Sequence, residues 1–103
     1  MAMQISTSNS GDGAVIKLAG RFDFNEHRVI KATYEPLLQK AEVKRLEIDL
    51  AGVEYLDSSA LGMLMLLRER ALAAGKTVVL SKPTSTVAQI LDIANFGKLF
   101  TIL

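Results

Sequence analysis

Hydrophobic and polar positions follow two periods along this chain, and the changes between them divide it into eight segments. Gln4–Ile5–Ser6–Thr7 reads as a weak edge strand, and the Ser, Asn, Gly and Asp of residues 8–13 read as a turn. Ala14–Val15–Ile16–Lys17–Leu18 alternates well enough for a second strand, antiparallel to the first, and Gly20–Arg21–Phe22–Asp23 ends it. Asn25 then suits the N-cap of a helix, with Phe24 as the apolar residue just ahead of the cap. Ile30, Thr33, Tyr34, Leu37, Leu38 and Ala41 recur at helical spacing. Pro36 interrupts them, and a proline in a helix interior removes a hydrogen bond at a cost of about 3 kcal/mol. A kink or early break is therefore predicted around residues 32–35.

Arg45–Leu46–Glu47–Ile48–Asp49–Leu50 alternates polar and apolar, which predicts a central strand. A long apolar pattern over residues 61–74 predicts the main helix, closed by Gly75 as a C-terminal cap. On a wheel of about 100° per residue, Ala60, Leu64, Leu67 and Ala71 share the face that packs on the sheet. Ser58, Gly62, Leu66, Glu69 and Ala73 fall on the other side. Thr77–Val78–Val79–Leu80 reads as a buried strand, and Pro83 suits the first turn of a third helix with Val87, Ile90, Leu91 and Ala94 inward. Asn95–Phe96–Gly97 stops that helix, and residues 99–102 form a last strand. The order β-β-α-β-α-β-α-β implies one α/β domain, residues 1–103, with a mixed sheet of about five strands and helices on one face or both.

Composition narrows the chemistry. Hydrophobic residues make up 50% of the chain and charged residues 22%, the balance of a folded domain. Twelve basic and eleven acidic side chains leave a net charge of +1, so nothing electrostatic points to nucleic acid or an anionic membrane as partner. The absence of cysteine excludes disulfides and thiolate metal sites, and the single histidine argues against a metal centre. Residues 1–12 carry no basic-then-apolar signal, and the longest apolar run, residues 63–67, is far too short to cross a bilayer. A soluble cytoplasmic protein without a cofactor is the expectation.

The chemistry concentrates at Tyr55–Leu56–Asp57–Ser58–Ser59–Ala60–Leu61–Gly62, where an apolar run stops and the main helix begins. A helix start offers free N–H groups and partial positive charge, so a hydroxyl there accepts a phosphoryl group without unfolding the chain. The structural reading of Ser58 is an ordinary N-cap, and Ser59 serves equally for that. Gly62 is a poor helix former, about 1 kcal/mol worse than alanine. Its presence fits close approach by another surface, with Leu66 as an apolar anchor, or tight packing of the helix against its own loop. Asp57 fits hydrogen bonding to loop amides, or help in holding a metal-bound nucleotide during phosphoryl transfer, and Asp23 fits a turn residue that caps the first helix. Arg68 falls near the buried side, with its stem packed and its head in water, while Arg70, Lys40 and Lys44 read as a solvated face. Neither a Gly-x-x-x-x-Gly-Lys-Ser/Thr loop nor a Gly-x-Ser-x-Gly elbow is present, and His27 reads as a surface residue.

Taken together, these landmarks resemble the STAS-domain anti-sigma factor antagonists of bacterial partner-switching systems. Gly20–Arg21–Phe22–Asp23 is similar to the family's Gly-x-Leu/Phe-Asp. Leu56–Asp57–Ser58–Ser59–Ala60–Leu61–Gly62 is similar to its Asp-Ser-Ser/Thr-Gly-Leu-Gly phosphorylation motif. Gly75–Lys76–Thr77–Val78–Val79–Leu80 and Asn95–Phe96–Gly97–Lys98–Leu99–Phe100 match later landmarks. The resemblance implies a binding protein rather than an enzyme. It implies phosphorylation of Ser58, a partner-binding surface including Asp23, Asp57, Ser59, Gly62 and Leu66, and two partners: an anti-sigma factor that is also a serine kinase, and a metal-dependent serine phosphatase. Ala60 departs from the family's glycine and is expected to stiffen the backbone and narrow the space beside Ser58. Two other readings stay open: a STAS subunit bound constitutively in a lipid-transport or stress-signalling assembly, and a small hydrolase using Ser58 with His27 as base.

Overall fold

The computed structural model describes residues 3–103, so Met1 and Ala2 of the expected domain lie outside the described residues. Its elements run β1 (Gln4–Ser10), β2 (Gly13–Phe22), α1 (His27–Leu38), β3 (Arg45–Leu56), α2 (Ser58–Ala73), β4 (Thr77–Ser81), α3 (Ser85–Ile93) and β5 (Thr101–Ile102), with 3-10 turns at Phe24–Glu26 and Phe96–Lys98. The sheet has the order β1-β2-β3-β4-β5. β1 is antiparallel to β2, and every later pair is parallel. The expected α/β order and mixed sheet are therefore observed.

Three parallel crossovers step the same way along this sheet, and right-handed connections place all their helices on one face. Burial agrees. Leu46, Ile48 and Leu50 of β3 are fully buried beneath the helices with Ile16, Leu18 and Leu80, while Lys17 on the reverse face is exposed. That reverse face is polar and internally bonded: Ser81 Oγ donates to Glu47 Oε2 (2.7 Å), and Asp49 Oδ1 accepts from the Ala51 N–H (2.9 Å).

β3 is twice the length its alternation predicted. Two register shifts against β2 insert extra residues near Ala51 and Glu54, so the inward positions run 46, 48, 50 and then 53 and 56. A bulge breaks the period of two by which a strand is recognised. The first shift brings Gly52 against β2, where an added Cβ would lie 2.8 Å from Ala19 Cβ.

Pro36 does not break α1, contrary to expectation. It lies in the last turn, where its missing N–H removes one bond and the helix ends directly afterwards. Leu38 closes the helix, leaving Ala41 exposed outside it. Pro83 precedes α3 instead of opening it; Thr84 is the cap, its hydroxyl accepting from the Val87 N–H at 3.3 Å. The third helix does face inward through buried Val87 and Leu91, with Ile90 and Ala94 half-buried. Gly75 ends α2 with φ +75°, while Lys76 N–H reaches back to Ala71 O (2.8 Å) and Gly75 N–H to Leu72 O (3.0 Å). At the end of the sheet where these strands start, the buried Lys76 ammonium donates to the carbonyls of Lys40 (2.7 Å) and Val43.

The α1–α2 contact holds Tyr34, which is buried, and a salt bridge between Arg70 and Glu35 at 2.9 Å. Burial pushes the Tyr34 hydroxyl above its ordinary pKa; Arg70 pulls it down and Glu35 adds to the rise. Arg70 is exposed as expected and in addition bridges to Glu35. Arg68, half-buried, does one thing more than expected: its Nε donates to Leu99 O (2.7 Å), tying α2 to the C-terminal segment.

Candidate functional site

β2 and β3 end side by side, with Phe22 opposite Leu56, and this register brings the loop after β2 against the start of α2. Asp57 joins them. Its extended backbone (φ −98°, ψ −179°) makes it the N-cap of α2, with Oδ1 accepting from the Ala60 N–H at 2.8 Å. Oδ2 accepts from the Phe24 N–H at 3.3 Å, and the Asp57 N–H donates to Phe22 O at 3.3 Å. One carboxylate therefore caps a helix and pins the neighbouring loop; the loop contact was expected from the sequence, the cap of α2 was not.

The loop has its own cap, one of the two that the sequence offered. Asp23, not Asn25, starts the turn: Asp23 Oδ1 accepts from the Asn25 N–H (3.0 Å), and Asp23 O accepts from the Glu26 N–H (3.0 Å). Phe24 does not fold back as an apolar staple. Its side chain is 70% exposed.

Because Asp57 is the cap, Ser58 becomes the first helical residue and is exposed, while Ser59 is half-buried. The N-cap reading of Ser58 is thereby set aside. Ala60 is fully buried, so its methyl enters the core. The expected inner face of α2 is observed, with Ala60, Leu64, Leu67 and Ala71 all buried. On the outer side lie Gly62, Met65 (41% exposed) and Leu66 (39% exposed). A Cβ built on Gly62 would meet nothing within 4 Å, which removes packing against its own loop as the reason for glycine.

Ser58, Asp57 and the Asp23 loop are thus assembled at one end of the sheet, with Gly62 and Leu66 further along α2. His27 begins α1 and is exposed. Among the described residues no cluster of metal-ligating side chains forms, and no helix is long and apolar enough to cross a membrane.

The family model described as Mlab, STAS domain matches residues 5–103. The chain belongs to the STAS-domain family. This STAS domain is 39% identical over 102 residues to a STAS-domain containing protein of Pseudomonas aeruginosa (strain UCBPP-PA14), covering 99% of each chain. It is 27% identical over 84 residues to the anti-sigma F factor antagonist of Lysinibacillus sphaericus, across 81% of this chain and 71% of that protein. Its fold is similar to that of the anti-sigma factor antagonist SpoIIAA in its unphosphorylated form (TM-score 0.79, 20% identity, 99% of this chain and 88% of that chain). The phosphorylated Bacillus SpoIIAA gives a TM-score of 0.72 at 19% identity, over 99% of this chain and 91% of that chain. The resemblance to the STAS-domain anti-sigma factor antagonists thus spans the whole domain.

Proposed function

We propose that this STAS domain is an anti-sigma factor antagonist controlled at Ser58. Unphosphorylated, it docks on an anti-sigma factor that is also a serine kinase. Phosphorylation of Ser58 ends the contact, and a metal-dependent serine phosphatase restores it, all in the cytoplasm. The observation that carries this reading is an exposed Ser58 relieved of capping by Asp57. A hydroxyl engaged as a cap would have to give up that bond to react; this one does not.

The first turn of α2 supports the switch energetically. Its free N–H groups and positive end accommodate a phosphoryl group of roughly −1.5 to −2 charges, so the fold survives and only the surface changes. A hundredfold loss of affinity requires about 3 kcal/mol, well within reach of a dianion placed in a desolvated contact. Gly62 adds support, since an exposed helical glycine with empty space around it has no use inside the isolated chain.

The test uses Ser58→Ala and Ser58→Asp as baits in cells of the source organism. The alanine form is expected to retain an anti-sigma kinase and the aspartate form to lose it. Wild-type protein incubated with that kinase and ATP gains one phosphate by intact mass, and Ser58→Ala gains none. Equal labelling of Ser58→Ala would move the site elsewhere. Equal retention by both baits would favour a constitutive subunit instead.

A further inference from the structure

We infer that a phosphoryl group on Ser58 unlatches the loop after β2, because that loop and the first turn of α2 are held by the same carboxylate, Asp57. This rests on the phosphorylation of Ser58 proposed above and adds a second output to it, a change of surface shape beside the change of charge.

Asp57 stands immediately before Ser58 and divides its oxygens between two elements. Its bond to the Ala60 N–H is short (2.8 Å), whereas its bond to the Phe24 N–H is 3.3 Å, longer than a typical N–H···O contact. The loop has little else to hold it at that point. Asp23 caps the turn from inside the loop, through the Asn25 N–H (3.0 Å), and the Phe24 side chain is 70% exposed. Phe22 and Glu26 on either side are buried, so residues 23–25 form a short strap with fixed ends.

Two effects of the modification meet at Asp57. Phosphoryl oxygens on the first residue of α2 compete for the first-turn N–H groups that the cap uses, the Ala60 N–H among them. They also bring roughly −1.5 to −2 charges beside a carboxylate, and like charges repel. The surroundings do not offset this. Asp23, Glu26 and Asp57 supply three carboxylates against the one guanidinium of Arg28, and His27 carries no formal charge. Arg21 is turned onto the Tyr55 ring, 4.7 Å from its centroid. Turning the Asp57 carboxylate away from the new charge costs least at its longer bond, so Oδ2 leaves the Phe24 N–H and the strap opens. The Ala60 N–H keeps an acceptor either way, Asp57 or the phosphoryl group, so α2 itself is undisturbed. A partner that touches only residues 23–25 therefore senses the state of Ser58.

Amide hydrogen exchange by NMR tests this, with phosphoserine encoded genetically at position 58 so that no kinase is needed. The Phe24 amide is expected to exchange about tenfold faster than in the unmodified chain, the weight of one hydrogen bond. Val87, whose N–H is capped by Thr84 at the start of α3, should keep its rate. Asp57→Asn isolates the route: its amide oxygen still caps Ala60, but its NH2 group cannot accept from the Phe24 N–H. In that variant the Phe24 amide should already exchange fast, and phosphoserine should add less than about twofold. A Phe24 rate in the phosphoserine protein within about twofold of the unmodified chain overturns the inference. So does equal acceleration by phosphoserine in wild type and in Asp57→Asn, which takes Asp57 out of the path. Acceleration of Val87 as large as that of Phe24 overturns it too, since the modification would then loosen the whole domain. Because the phosphoserine is built in, these outcomes are separate from the kinase labelling and pull-down that test the docking role, and either reading can fail alone.

Discussion

Asp57 shows how much one side chain decides at this site. Its two oxygens serve different elements, one the Ala60 N–H and the other the Phe24 N–H. Asp57→Ala should lower stability by about 1–2 kcal/mol, read by chemical denaturation. Asp57→Asn should recover part of the loss, since its amide oxygen still caps. The two glycines make opposite forecasts. Gly52→Ala drives a methyl into Ala19 and should destabilise by about 1–3 kcal/mol. Gly62→Ala meets only open space and should stabilise the free domain by about 1 kcal/mol, while weakening capture of the partner. A Gly62→Ala protein that gained stability and bound as well as wild type would leave that glycine without a function.

At the scale of elements, α1 and α2 are joined by the buried Tyr34 and the Glu35–Arg70 bridge. Tyr34 holds its proton more tightly in the fold than in the unfolded chain. Its stabilisation is therefore complete below the unfolded value near about 10, and is lost as pH rises through the higher folded value. Denaturation midpoints should fall between neutral and strongly alkaline pH in wild type, and fall less in Tyr34→Phe. An equal fall in both proteins would place the alkaline sensitivity elsewhere. Element order and type were legible because α2, β4 and the inner faces follow single periods. β3 was read only to Leu50, because its bulges interrupt alternation. The break expected at Pro36 failed because proline near a helix end disrupts little. The Ser58 motif was legible as well, whereas the exposure of Phe24 was not. The Phe24 backbone is held by donating its N–H to Asp57, a residue 33 positions away, a contact that local spacing does not encode.

For the whole molecule, the parallel strands β2 to β5 and three helices on one face send the loops after β2, β3 and β4 to the same end of the sheet. The candidate site occupies that end, where β2 and β3 stop. The opposite end is closed by Lys76 and the segment before β3. Hydrogen exchange should follow this plan. The inner amides of β3, paired on both sides, should be the slowest, and those of the edge strands β1 and β5 faster. Protection of β5 equal to that of β3 would contradict it.

Each strand also lies beside the one that precedes it in the chain. Partners are separated by a tight turn or a single helix, which keeps loop-closure entropy small and favours rapid assembly. The sheet can therefore grow in the order the ribosome delivers it, every new strand zipping onto an edge already formed. On that schedule the ends of β2 and β3 pair before β5 is added, so the end of the domain that carries the candidate site is framed ahead of the β5 edge.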